Sequence, residues 1–516
     1  MKNEPLVLTL DFGTQSVRAA LFNKRGDIVY LTKKCYCPIY FSNKKGYAEQ
    51  NADFYWDNLV ECLKEISTTN KELLNDITAM TVTSFRDSAV LLDKDKKPLR
   101  PIILWLDQRL AEAREKIPGI HKFLFKLVGM YDTVVMNRTR TMAHWVKENE
   151  PELWAKVDKY VNISTYINYK LTGELADSPG GLTGHYPLNY KKREWYKEGA
   201  MKGRIFGIPN RMLPKVVPVG EVIGVLSDEV AEMCGLPKGL KLISTGSDKG
   251  CETIGLGCLT PDIGAISYGT ACTIEVSNPR YHEPEPFLPA YAAAVPNLYN
   301  MDVQIYRGFW MLKWFASEFA SELEQEAKAK QLPIEEILDG WLNDVTPGSD
   351  GLLLQPYWGP GLARPLAKGA IVGFSSIHTR KHIYRAIVEG IAFALREGLE
   401  SIEKSQKQKV KSLRISGGGS LSDEICQITA DIFGLEISRV QTIESTSLGA
   451  AIATFAAVKE FDSAAEAVKN MTKTSTTFKP NPENHKLYNR IYHDVYLKTY
   501  PRLKPLDVAI NGIFKR

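Results

Sequence analysis

Leu6-Val7-Leu8-Thr9-Leu10-Asp11-Phe12-Gly13-Thr14-Gln15-Ser16-Val17-Arg18 is the stretch from which the fold can be read. An apolar, β-prone run ends in a carboxylate, a glycine turn follows, and a second β-prone run returns. Residues 5–11 and 17–23 therefore read as two strands, and Lys24-Arg25-Gly26-Asp27 turns the chain into a third strand at 28–32. The tight turn after Asp11 exposes successive backbone N–H groups beside the Thr14 and Ser16 hydroxyls. That arrangement suits phosphate oxygens, with Asp11 placed to hold a hydrated magnesium ion. An ordinary β-hairpin is the competing reading of this segment alone.

The same device returns far downstream. Residues 263–268 and 271–276 read as strands joined by Gly269-Thr270, and Gly13 and Gly269 stand 256 residues apart, about half the chain. A duplicated α/β unit with a boundary near residue 255 follows, and no short-period repeat is present. Between the two hairpins, a helix at 53–66 and a strand at 77–84 begin an alternation typical of sheets with parallel members. In the second half, Ile383, Ile387, Ile391, Leu395 and Leu399 mark one stripe of a helix over 379–404. A strand at 410–416 leads into Gly417-Gly418-Gly419, then a helix stopped by Gly434 and a small-residue helix at 447–457. Past residue 459 the chain turns polar and reads as one peripheral helix.

Composition narrows the function classes. The chain has 516 residues, a net charge of +5 and eight cysteines. At about 150 residues per domain this allows three domains or two large ones. The balanced charge argues against a nucleic-acid partner. The cysteines lack zinc or disulfide-scaffold spacing, so reduced thiols are expected. No apolar run approaches the ~18 residues of a bilayer span. The expectation is a cytoplasmic protein with no membrane partner.

Several polar residues sit at strand ends, where α/β proteins meet ligands. Asp248, in Ser244-Thr245-Gly246-Ser247-Asp248-Lys249-Gly250, could accept a proton from a substrate hydroxyl, with Lys249 biasing it toward the ionised form; a helix N-cap is the alternative. Arg86 and Asp87 follow the strand at 77–84 and offer donors and acceptors to a polyhydroxylated ligand, or form a surface ion pair. Trp105, with Asp107 and Arg109 nearby, could stack on a sugar face or lie in the core. Asp177 opens a Gly/Pro-rich loop reaching Gly184. Gly417, Gly418 and Gly419 leave bare backbone for a flat ligand, without the spacing of a dinucleotide site or a P-loop.

Together and in order, these segments resemble the FGGY carbohydrate kinases of the actin-like ATPase superfamily. The likeness runs from Leu6 to about Phe461. It also takes in Lys368-Gly369-Ala370-Ile371-Val372-Gly373 and Ser447-Leu448-Gly449-Ala450-Ala451. The resemblance implies two actin-like (ribonuclease H-like) lobes, residues 1–255 and 256–516, each a mixed five-stranded sheet flanked by helices, with a cleft between them. It implies ATP and Mg2+ as cofactors and a small sugar or polyol as substrate, such as a ketopentose or a glycerol-like polyol. Asp248 falls at the family's catalytic base and Asp11 at its magnesium residue. Gly13, Thr14 and Gln15 fall on the first phosphate loop, Gly269 and Thr270 on the second, and Gly417 to Gly419 on the adenosine loop. Arg86, Asp87, Trp105 and Asp177 are the expected substrate contacts. Three departures leave the substrate open. Asp87 is shorter than the glutamate of glycerol kinases, Lys249 replaces Gln or Asn, and the Gln-Met-His of xylulokinases is missing near Phe85. The resemblance admits a homodimer without requiring one. A nucleotide-driven switch or a sugar sensor without turnover is the alternative function.

Overall fold

The computed structural model describes residues 4–114, 117–286, 288–359, 361 and 364–514. Two sheets built to one plan dominate it. In the first, β1 (Leu6–Phe12), β2 (Ser16–Phe22) and β3 (Ile28–Cys35) form an antiparallel meander, as the two glycine-bearing turns require. On its other side β1 pairs in parallel with β4 (Ile77–Ser84). Beyond β4 lie β6 (Lys241–Ile243), also parallel, and at the edge β5 (Val222–Val225), antiparallel. All seven residues of β1 are buried, as befits a central strand covered on both faces.

The second sheet repeats the order. Strands β7 (Ile263–Tyr268), β8 (Cys272–Asn278) and β10 (Tyr299–Ile305) make the meander, and β7 pairs in parallel with β11 (Ser412–Ser416), which pairs in parallel with β12 (Glu436–Val440). The five-stranded core expected for each lobe is therefore present twice. Each core also carries edge strands that the sequence reading omitted: β5 in the first sheet, and β9 (Tyr291–Ala292) and β13 (Thr474–Phe478) in the second.

Helix α1 (Ala52–Thr69) covers the first sheet, burying Tyr55, Leu59, Leu63 and Ile66. Helix α3 (Arg380–Gln406) is the spine of the second lobe, with Ile387, Ile391 and Leu395 fully buried, and α4 (Asp423–Phe433) packs against it. Between the lobes, α2 (Asp248–Gly255) lies against α5 (Ser445–Ala457). Their contact depends on two glycines. A Cβ on Gly255 would stand 1.9 Å from the Ser445 carbonyl oxygen, and one on Gly449 would stand 1.8 Å from that of Cys251. Val7 and Phe22 of the first sheet share one apolar cluster with Ile254, Leu448 and Phe455, so this helix pair binds the two lobes together.

The chain beyond residue 460 corrects the expectation of one peripheral helix. Among the described residues it supplies strand β13 and three α-helices, α6 (Ala464–Met471), α7 (Pro482–Ile491) and α8 (Leu497–Ile513). Tyr488, Tyr492 and Tyr496 are buried around Phe393 of α3, with ring centroids 5.9, 6.0 and 5.4 Å away. Tyrosine spacing in a polar segment hid this apolar face. Among the described residues no helix is long and apolar enough to cross a membrane.

Candidate functional site

Two cavities meet between the lobes. The smaller, about 310 Å³, is walled largely by aromatic rings, including Phe85, Trp105, Tyr186, Tyr291 and Tyr306. The larger, about 1180 Å³, runs past Gly13, Gln15, Trp310, Gly418 and Gly419. Thr14, Lys249, Gly269 and Thr270 line both, so the two glycine–threonine turns converge on the passage between the cavities. Asp248, the first residue of α2, faces the smaller one.

Each turn is held by its own backbone. The Gly13 amide donates to the Ser16 carbonyl at 3.0 Å, and the Gln15 carbonyl accepts from the Tyr36 amide at 2.9 Å. In the second turn the Gly269 and Thr270 carbonyls accept from the Phe309 and Trp310 amides at 3.1 and 3.3 Å. In a trans peptide the N–H points opposite to the carbonyl, so the Thr270 and Ala271 N–H groups point away from residues 309 and 310. The three glycines of the third loop serve different ends. Gly417 has φ +83 and passes 2.6 Å, measured to an added Cβ, from the Tyr268 carbonyl oxygen. Gly419 is pressed against the Phe309 ring, and only Gly418 has open space beside it. Gly418 and Gly419 border the larger cavity.

Burial raises the carboxyl of Asp248 above the ordinary aspartate value, while Lys249, Arg86 and the Lys249 amide pull it back toward ionisation. The expected influence of Lys249 is therefore real but outweighed by burial. Asp11, at the end of β1, is pushed up to about 7 by burial against the opposing pull of Arg18, with Asp248, Glu444 and Glu252 adding to the rise. Its Oδ1 is buried without a hydrogen-bond partner, while Oδ2 faces Arg18 at 3.4 Å. An under-neutralised carboxylate among acidic neighbours is what a divalent cation relieves, so these residues fit a hydrated magnesium ion held through Asp11. Asp11 lies behind the turn rather than on either cavity wall.

The expected substrate contacts are distributed otherwise than their sequence positions suggested. Trp105 lines the smaller cavity and donates its indole N–H to Thr14 Oγ1 at 3.1 Å, tying that cavity's wall to the first turn. Asp107 and Arg109 instead pair with each other at 2.7 Å and brace Glu49. Arg86 borders the cavity, but its hydrogen bonds go to protein: Nε to Ser247 Oγ at 3.0 Å and Nη1 to Asp302 at 2.5 Å. Glu275 and Asp248 each lie 3.9 Å from it. Burial and the neighbouring Asp302 raise the Glu275 carboxyl. Arg86 thus compensates buried acids of the second lobe from the end of β4. Asp177 is corrected outright. It is 4% exposed, outside both cavity walls, and its carboxylate accepts from Ser164, Thr165 and the Ser178 amide.

The loop that follows Asp177 does reach the cavity, through His185. Asp87, at φ +58, accepts from the His185 backbone amide at 2.9 Å and pairs with His185 Nδ1 at 2.7 Å. Burial raises the Asp87 carboxyl, but His185 more than reverses this and the net direction is downward. A carboxylate on Nδ1 fixes the ring's orientation and leaves Nε2 as its other polar edge. The signal in the sequence was Gly184-His185 at the end of a glycine-rich loop. Gly184, at φ +132, packs so closely on Asp87 that a Cβ there would stand 2.6 Å from Oδ1.

With this geometry in place, comparison with known proteins decides the family. The N-terminal domain of the FGGY family of carbohydrate kinases matches residues 6–255, and its C-terminal domain matches residues 264–458. The chain belongs to the FGGY family of carbohydrate kinases. It is 29% identical to the xylulose kinase of Lactococcus lactis over 94% of this chain and 95% of that protein. Gluconokinase of Bacillus subtilis is 27% identical over 94% of each chain. Among solved structures, xylulose kinase from Rhodospirillum rubrum superposes with a TM-score of 0.79 at 25% identity, covering 97% of this chain and 99% of that one. Xylulose kinase from Lactobacillus acidophilus has a TM-score of 0.81 at 22% identity over 97% and 98%, a likeness of fold. This FGGY kinase is accordingly a phosphotransferase with an alcohol group as acceptor, built as two actin-like lobes, with ATP as phosphoryl donor and a small sugar-like molecule as acceptor.

Proposed function

We propose that this FGGY kinase transfers the γ-phosphoryl group of ATP to a hydroxyl of a five- or six-carbon sugar or polyol held in the aromatic cavity, with Asp248 as general base. The observation that carries this reading is the shared wall: two glycine–threonine turns border both cavities, and a partly buried carboxylate faces the smaller one. ATP lies along the larger cavity, its base near Gly418 and Gly419 and its phosphates at Thr14, Gly269 and Thr270. The aromatic wall suits the C–H faces of a sugar, and a three-carbon triol would leave much of a 310 Å³ cavity unfilled. Relatives named xylulose kinase and gluconokinase point the same way.

Positioning and charge stabilisation dominate phosphoryl transfer. Asp248 orients the acceptor hydroxyl and takes its proton as oxygen bonds to phosphorus. Arg86, 3.9 Å away, keeps the carboxylate available as an ion. The aromatic walls exclude water that would compete for the phosphoryl group. Magnesium, held through Asp11, would supply charge neutralisation on the phosphate oxygens.

The test is ADP release measured across ketopentoses, sugar acids, ketohexoses and polyols. Acceptor-dependent ADP formation is expected with a five- or six-carbon compound and much less with glycerol. ATP hydrolysis indifferent to every acceptor would instead favour a nucleotide switch. Within the same assay, His185→Ala should raise the KM of the accepted sugar about 10- to 100-fold, the equivalent of one charge-assisted hydrogen bond of about 1.5–3 kcal/mol, with the KM for ATP little changed. An unaltered sugar KM would remove His185 from recognition.

A further inference from the structure

Three partly buried cations stand near the passage between the cavities, and they are not equivalent. Arg18 borders the larger cavity and is committed to Glu444 at 2.9 Å and Asp11 at 3.4 Å. Arg86 borders the smaller and is committed to Asp302. Lys249 borders both. Its Nζ donates to Glu252 Oε2 at 2.7 Å and to Ser267 Oγ at 2.6 Å. Glu252 is itself held by the Ser267 and Ser416 hydroxyls, so the ammonium is fixed in place. An ammonium has three N–H groups, and two of them account for these bonds. Burial works against its charge, but Glu252 and Asp248 outweigh burial and keep Lys249 protonated.

We propose that the Lys249 ammonium binds the phosphoryl group in transit, donating its third N–H to a non-bridging γ-oxygen. Resting on the kinase reading above, this adds a catalytic residue to it. The acceptor oxygen bonds to the γ-phosphorus, and its proton passes to Asp248. The bond from that phosphorus to the β,γ-bridging oxygen breaks, and its electron pair leaves on ADP. Lys249 transfers no proton and neutralises charge on the group as it crosses. A fixed donor is worth most where charge is spread over transferring oxygens in a water-poor site. A merely structural lysine neutralising Glu252 would have no need to border both cavities.

The experiment separates these roles. Lys249→Gln should lower kcat about 10²-fold, the usual effect of removing one such donor. ADP affinity should stay within about twofold, while affinity for ADP with aluminium fluoride and Mg2+, which mimics the phosphoryl in flight, should fall about as far as kcat. The double variant Lys249→Gln/Glu252→Gln removes the buried charge imbalance and should remain slow. Recovery of kcat in the double variant, undiminished fluoroaluminate affinity in Lys249→Gln, or a wild-type protein that binds ADP and its fluoroaluminate complex equally would overturn the proposal. Full turnover by Asp248→Asn would overturn the base assignment instead. Loss at position 248 without loss at 249 would sink only the lysine's role.

Discussion

Asp248→Asn lowers turnover about 10²–10⁴-fold, the usual contribution of a general base, while ATP and sugar still bind. The asparagine keeps the shape of the side chain at the start of α2 and keeps an acceptor for the Lys249 amide, which donates to Asp248 Oδ1 at 2.8 Å. What it loses is the ability to take the proton. Because burial raises the carboxyl of Asp248, the wild-type rate should fall as pH drops through a value above the ordinary aspartate range. The sign follows from the role: a base works only when ionised, and a raised pKa moves its protonation to higher pH. The variant should lack that acid limb. Steady-state kinetics across pH check both points, and a variant with wild-type kcat would exclude Asp248 from the chemistry.

Gly449→Val produces the largest structural effect. A Cβ there would overlap the Cys251 carbonyl oxygen at 1.8 Å, and Gly255 on the facing helix is only 2.6 Å from the same point. Both obstacles are backbone, so no side-chain rotation relieves the clash. Helices α2 and α5 must separate, opening the cluster that contains Ile254, Leu448 and Phe455. Overpacking of this kind costs about 3 kcal/mol at the upper end of its usual range, and here it also shifts Asp248, which starts α2. A lowered thermal midpoint and a lost turnover are expected together. By contrast, Gly418→Ala meets nothing within 4 Å and should leave the thermal midpoint unchanged. Equal midpoints for Gly449→Val and the wild type would show that the helix contact is not as close as described.

The departures from expectation share a pattern. Arg86 and Asp87 are adjacent in the chain, yet their partners lie far along it: Asp302 is 216 residues from Arg86, and His185 is 98 from Asp87. Asp177 drew attention as an acid on a glycine-rich loop, but nearby hydroxyls at Ser164 and Thr165 claimed its carboxylate. Tyr488, Tyr492 and Tyr496 lie in a segment that is polar overall, and their packing around Phe393 makes them core.

By itself the sequence determined the repeated meander, the two glycine–threonine turns, the long helical spine and the carboxylates at strand ends. These features are written in local periodicity and turn chemistry, which act between near neighbours in the chain. Tertiary structure alone decided that the two turns share one passage, that Lys249 rather than Arg86 stands in it, and that His185 rather than Asp177 lines the smaller cavity. Such choices depend on which strand ends two packed sheets bring together and on how buried charges find their counter-ions. No local periodicity encodes them, because the tertiary fold, not nearness in the chain, brings most of these partners together.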